Sequence, residues 1–373
     1  MLHEHAAALS AASHLVSTKT PERSHVAKDR VDSHREELGR PLLFSRPSTT
    51  HSDSLTLRIL VANDVRMDIK NILKIAQQLG ETHISRGRPV QAILLPGDLA
   101  AAPAPAPAPA AATAAATTAT STSSTSTAQS AIAQVANAEG EVMAVLKRFE
   151  QIKRRIFYIP GITDPISLFA RSVQHSDTEK TTSSKTPPHL TLRSVNIHDW
   201  WVEIAEGVII AGYGGNGTGD DSTVVDGCRR VMERAIEWWK QQNKDDQGHG
   251  NGHGSGNDSG NGATEPQIIF MTHAAPLNTS TSSNSGVGSI GGIDGIGQLL
   301  STPEAQKAIL LHVHGQGGGN IGQDSIGDVP VLNAGSLNVG GEYAIVDFVR
   351  TGVTEKWSLD SVLWRQVRNQ VTR

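Results

Sequence analysis

The sequence predicts an α/β fold, a single domain of alternating strands and helices broken by low-complexity inserts. Three observations predict it. Short apolar runs of strand type alternate with stretches whose apolar residues recur at helical spacing. Run after run stops in a Gly, Asp or His turn, as strands do at the carboxyl edge of an open α/β sheet. The tracts between them, rich in Ala-Pro, Thr-Ser or Gly-Asn-His, hold too few apolar groups to offset the entropy of ordering.

Order is expected from Leu55, after an amino-terminal segment, residues 1–54, read as disordered. Leu57 to Ala62 is a strand-type run that delivers Asn63, Asp64, Val65 and Arg66. A helix follows, with Ile69, Ile72, Leu73, Ala76 and Leu79 at helical spacing, and Gly80 ends it. Val90 to Leu95 is the second strand and runs into Pro96-Gly97-Asp98, so the crossover implies parallel pairing. Residues 101–128 form an Ala-Pro and Thr/Ser insert, polyproline-like and without a core. The interrupted unit resumes with a helix over Ala131 to Lys153 and a strand over Arg155 to Ile159, which ends in Pro160-Gly161-Ile162-Thr163-Asp164.

Beyond a polar tract at His175 to Pro188, Asp199 to Ile204 and Gly207 to Ala211 read as a hairpin. A helix spans Val224 to Gln242, and residues 245–264 are a flexible Gly/His linker. The strand Gln267 to Met271 delivers Thr272 and His273, and a short helix at Pro303 to Lys307 leads into Ile309 to His314. Strand period places His312 and His314 on one face near the carboxyl end of that run. Val329 to Asn333 is followed by Ala334-Gly335-Ser336, and Glu342 to Phe348 and Thr354 to Leu359 close the domain as antiparallel strands. The domain is taken as residues 55–366, with a tail of 367–373.

Composition excludes several classes of function. A net charge of -4 leaves no broad electrostatic footprint for nucleic acid or an anionic membrane. The single cysteine, Cys228, excludes an intrachain disulfide and any cysteine-cluster zinc site, so the chain reads as reduced and intracellular, in the cytoplasm. Its place at a helix start suits packing better than nucleophilic chemistry. No apolar run approaches the ~18 residues that span a bilayer. The first 54 residues carry acidic groups and no apolar block, against a transit or secretory segment, so the Asn-x-Ser/Thr triplets at Asn216, Asn257 and Asn278 carry no weight.

Asp64, Asp98, Asp164, His273 and the His312/His314 pair each follow or end a strand, in that order. Carboxylates and imidazoles gathered at strand ends are what a divalent metal pair needs, and two metals about 3.5 to 4 Å apart can clamp a phosphoryl group and activate water. The order and spacing resemble the calcineurin-like metallophosphoesterases. That resemblance implies a sandwich of two β-sheets flanked by helices and a centre holding Mn, Fe or Zn. It assigns Asp64 to the first aspartate, Asp98 to the bridging carboxylate of Gly97-Asp98, and His273 to the lone histidine after a strand. Asp164 falls at the end of the third motif.

The sequence departs from the family at the ligand positions. Arg66 stands where the family has a histidine, Ile162 where it has an asparagine, and Thr163 where it has the histidine that assists leaving-group protonation. The last motif, Gly-His-x-His, can be placed on His312-Val313-His314, with Leu311 for its glycine, or on Gly315-Gln316-Gly317-Gly318. The first placement makes His314 a metal ligand. The second, which the spacing to Asn333 favours, puts Gln316 at the ligand position. Arg66 cannot ligate, because its guanidinium stays protonated, although it can hold a phosphate bidentately.

Two hypotheses follow. One is a phosphoester hydrolase with one ion on Asp64, Asp98 and His273, acting on a small phosphoester or a phosphoprotein with Arg66 and Asp164 in catalytic roles. The other is a metal-free, non-catalytic pseudo-phosphoesterase, a binding or scaffold module for a protein partner. Two weaker patterns are set aside. Gly212-Tyr-Gly214-Gly-Asn-Gly217 matches the dinucleotide G-x-G-x-x-G, yet no βαβ unit follows it. His249 and His253 sit in the Gly-rich linker, where their neighbours give them no fixed geometry.

Overall fold

The computed structural model describes residues 54–86, 88–101, 124–169, 193–215, 221–245, 266–282, 292–316, 320–352 and 356–367. The amino-terminal segment through Asp53, residues 102–123, His249 and His253, Gly317 and Gly318, and the tail after Val367 lie outside the described residues. The chain divides into two units, Met1–Arg40 with Pro105–Asn137 and Pro41–Ala104 with Ala138–Arg373. Of the first unit only the start of a helix is described.

The second unit is an α/β sandwich of two six-stranded mixed sheets. In the first sheet, β1 (Ser54–Val61), β2 (Ala92–Leu95), β3 (Arg155–Tyr158) and β4 (Ser194–Asn196) run parallel, and β1 also pairs antiparallel with β11 (Glu342–Thr351), which pairs with β12 (Ser358–Gln366). In the second, the hairpin of β5 (Trp200–Ala205) and β6 (Val208–Tyr213) leads to β7 (Gln267–Thr272), β8 (Ile309–His314), β10 (Val329–Asn333) and the edge strand β9 (Gly322–Ile326).

Strand alternation makes the layers. Ile59, Val61, Leu94 and Phe157 from the first sheet meet Ile210, Ile269, Met271 and Val313 from the second in one buried core. The opposite residues of the first sheet, Leu60, Ile93, Leu95 and Ile156, pack on α1 (Ile69–Arg86) through Ile72 and Ile75, and on α2 (Ser124–Glu150) through Val142, Leu146 and Phe149. The outer face of the second sheet, with Ile209, Ala211, Ile268 and Phe270, is covered by α3 (Asp221–Asp245), α4 (Asp294–Leu300) and α5 (Pro303–Ala308). Cys228 is buried in that layer, where desolvation pushes its thiol well above the ordinary range, as a packing residue. Among the described residues no helix is long and apolar enough to cross a membrane.

Several elements differ from the sequence expectation. Helix α1 passes through Gly80 to Arg86, since one interior glycine costs only about 1 kcal/mol. Helix α2 begins at Ser124, inside the tract read as insert, and α3 runs to Asp245. The last strand is Ser358–Gln366, several residues later than its apolar pattern suggested, because it pairs with β11 from Val349 back to Glu342. Two strands carry no legible signal: β4 has three residues, and β9, read Gly-Gln-Asp-Ser-Ile, is a polar edge.

Candidate functional site

The parallel strands of both sheets deliver their loops to one carboxyl edge. At the end of β1, Asp64, Arg66 and Met67 have φ of 49°, 39° and 62°, and after β2 Gly97 and Asp98 have φ of 101° and 55°. Left-handed non-glycine residues cost on the order of 1 to 3 kcal/mol each and persist only where surroundings impose them. Here the two loops impose them on each other. The Arg66 amide donates to the Asp98 carbonyl at 2.9 Å and the Met67 amide to the Leu99 carbonyl at 3.0 Å. From the segment after β10, the Ser336 hydroxyl donates to Asp64 Oδ2 at 2.6 Å, and the Asn338 amide donates to the Asp64 carbonyl at 3.1 Å.

Asp64, Asp98 and His273 are drawn together with Arg66 among them. The Arg66 Nε is ion-paired with Asp64 Oδ1, and its Nη2 lies 3.6 Å from Asp98 Oδ2. Asp98 Oδ1 accepts from the Thr163 amide at 3.0 Å and faces His273 Nε2 at 3.7 Å. The carbonyl of Pro96, 3.0 Å from His273 Nδ1, can only accept, so Nδ1 carries the proton. In the neutral ring, Nε2 is then a buried lone pair without a hydrogen-bond partner among the described residues.

Three glycines make this closeness possible. A Cβ on Gly97 would lie 2.4 Å from His273 Nδ1, and one on Gly161 would lie 2.5 Å from Asp98 Oδ1. A Cβ on Gly315 would lie 1.8 Å from the Pro96 carbonyl oxygen. Each motif turn therefore ends in the residue type whose absent side chain lets the next loop approach.

The other residues singled out by sequence have different places. Asp164 is buried with both oxygens engaged: Oδ1 accepts from the Leu99 and Ala100 amides, each at 2.8 Å, and Oδ2 from the Gly161 amide at 2.8 Å. Burial raises its pKa, the nearby Asp98 adds to the rise, and the three amides oppose it. His314 is fully buried in β8, with Nδ1 on the Gln316 carbonyl at 2.8 Å and Nε2 on the Thr281 hydroxyl at 2.9 Å, so neither nitrogen is open to a metal. His314, expected as a ligand on the first placement of the last motif, is the final residue of β8, and Gln316, expected on the second, follows two residues later. The Gln316 amide donates to the His273 carbonyl at 2.6 Å, and its own carbonyl also accepts from Asn333 Nδ2 at 3.1 Å. His312 stacks on His314 at 5.9 Å and bonds the Thr272 hydroxyl through Nε2 at 2.9 Å. Ile162 is 38% exposed at the mouth of the loop. Sequence reasoning missed Asn63, whose amide nitrogen donates to the His314 carbonyl and to Asn333 Oδ1, both at 2.9 Å, and it missed the Pro96 carbonyl; neither has a pattern to betray it.

The donor set does not fit a metal pair. Among the described residues no group of three or more His, Cys, Asp or Glu side chains is disposed to hold a metal ion. Asp64 points its free oxygen at a guanidinium, which leaves Asp98 and His273 alone.

Among solved structures the chain is similar to TT1561 of Thermus thermophilus, at 15% identity over 84% of this chain and 100% of that one, with a TM-score of 0.46. It is also similar to GAP50, the anchor in the inner membrane complex of Plasmodium, at 8% identity over 85% of this chain and 90% of that one, with a TM-score of 0.39. No protein-family profile and no curated protein matches the sequence.

The two strand histidines give the site edge a pH dependence. Burial is the main cause that pushes His314 down to about 4, and burial with the neighbouring His314 holds His312 well below its usual value. In the unfolded chain both titrate near 6.5. Between those values the unfolded state binds the extra protons, so the stability is whole above pH ~6.5 and is lost as pH falls toward 4. His314 alone is expected to remove about 2 kcal/mol by pH 5. Urea midpoints at pH 7.5 and 5.0 measure it, and equal midpoints would contradict the buried neutral pair.

Proposed function

We propose that this chain is a phosphoesterase-like sandwich whose catalytic edge is closed by an internal cation, and that it works as a non-catalytic binding module. The observation that carries the reading is the Arg66 guanidinium lying across Asp64 and Asp98. A guanidinium stays charged at any physiological pH, and at ~4 Å with an effective dielectric of 20 it opposes each unit of incoming positive charge by about 4 kcal/mol. The replaced histidine and the engaged nitrogens of His314 act in the same direction.

A hydrolase that keeps one ion is the competing reading. The orphaned His273 Nε2 facing Asp98 Oδ1 favours it, since a cation between them would satisfy both atoms. Such an enzyme would act on a phosphomonoester or phosphodiester, free or on a protein.

Elemental analysis for Mn, Fe and Zn, with assays of a generic phosphomonoester and phosphodiester in added metal, separates the two. The binding-module reading expects less than one equivalent of metal and no turnover dependent on Asp98. Metal at or above one equivalent with turnover abolished by Asp98→Asn would sink it. Arg66→Met supplies the converse. It is expected to cost about 2 kcal/mol, less than the ~3 to 5 of a fully buried pair because Arg66 is about one-third exposed. Added Zn or Mn should restore the melting temperature of this variant and leave the unaltered protein's unchanged. A variant as stable as the parent would show that Arg66 is no counter-ion.

A further inference from the structure

We propose a second site, for a small organic phosphate, at the opposite edge of the first sheet. A cavity of about 180 Å³ opens there, where β2 and β3 begin, between α1, the turn after α2 and β11. Arg58, Arg88 and Arg154 line it together, and no acidic residue lines it among the described residues.

The three guanidiniums are unequal. Arg58 is buried in β1 directly across from Asp347 of β11, and the two form a bidentate pair at 2.6 and 2.7 Å. Its Nη1 also donates to the Arg88 carbonyl at 3.0 Å, so the cavity floor is a fixed fork whose charge Asp347 cancels. Arg88 and Arg154 then add two positive charges to the lining, with no carboxylate among the described lining residues to balance them. Like charges converging on a concave, partly apolar surface raise the local potential, which an anion relieves. Arginine rather than lysine is the residue that meets phosphate oxygens with a planar fork.

The walls define the rest of the ligand. Leu79, Pro89 and Ile152 are apolar, and the volume falls below the ~300 to 1,000 Å³ of drug-sized pockets. A dianionic phosphate with a short apolar body matches both the charge and the room. Carboxylates carry one charge too few. The Asp98 edge lies at the far ends of the same strands, so the proposal stands apart from the reading given to that edge.

Calorimetric titration of the full chain with phenyl phosphate, benzoate and inorganic phosphate tests it. Phenyl phosphate is expected to saturate one site, at least tenfold tighter than benzoate or inorganic phosphate. Arg88→Gln and Arg154→Gln should each weaken it tenfold or more, and the double variant should abolish it at an unchanged melting temperature. Arg88 is exposed, so its single variant gives a reading even if the double variant misfolds. Three results would overturn the proposal: no saturation at millimolar phenyl phosphate, benzoate binding equally well, or undiminished binding in a folded Arg88→Gln protein.

Discussion

Asp164→Ala is expected to lower stability by about 4 kcal/mol or more, the largest effect of any single change at the site edge. The carboxylate holds three buried backbone amides, two from the loop after β2 and one from its own loop. Hydrogen bonds to a charged group contribute about 1.5 to 3 kcal/mol each, and a buried amide left without an acceptor costs about 1 to 3. The same loops are joined by the Thr163 hydroxyl on the Ala100 carbonyl at 2.9 Å and the Thr163 amide on Asp98, so losing Asp164 loosens the support under Asp98 as well. Asp164→Asn, which keeps one acceptor oxygen, should lose about half as much. Denaturant unfolding of the three proteins decides the matter. An Asp164→Ala protein as stable as its parent would end the account of this residue as a tie between loops.

The sequence made the architecture legible where apolar periodicity and turn chemistry coincide. The β1, β2, β3, β7 and β8 runs each combine a buried apolar stretch with a Gly, Asp or His stop, and all five lie in the parallel parts of the two sheets. Pattern failed where pairing alone makes the element. The residues of β9 are held by backbone bonds to β10 and bury little, and β12 is placed by its register on β11. The site was half legible for a related reason. Asp64, Asp98 and His273 could be named from their places after strands, and the structure brings them together. Which side chain stays free is settled by contacts between distant loops. Asp164 could be read as catalytic from its place in the third motif, and it meets amides some 65 residues away. His314 looks like a ligand, and Thr281 takes its outer nitrogen. Arg66 could be read as departing from a ligand position, although nothing local showed that it spans two carboxylates.

Gly315→Ala should cost about 3 to 4 kcal/mol and turn the His273 ring. Its Cβ would stand 1.8 Å from the Pro96 carbonyl oxygen, 2.8 Å from the carbon and 2.9 Å from His273 Nδ1. Neither side can yield cheaply. The Gly315 amide is held by the Thr272 carbonyl at 3.1 Å and the His273 carbonyl at 3.2 Å, while the Pro96 carbonyl is what fixes His273 Nδ1. Overpacking usually costs about 1 to 3 kcal/mol, and a clash with backbone on both sides belongs at or beyond the top of that range. If the carbonyl retreats, His273 loses the acceptor that sets its tautomer, and Nε2 no longer must be the bare nitrogen facing Asp98. Nitrogen NMR of the ring would register that exchange, while melting reports the strain. Gly140→Ala is the control, because its Cβ in helix α2 meets nothing within 4 Å and should add up to ~1 kcal/mol of stability. Equal melting temperatures for the two alanine variants would mean that the loops at this edge have room to separate, and that His273 is not held as the Pro96 contact implies.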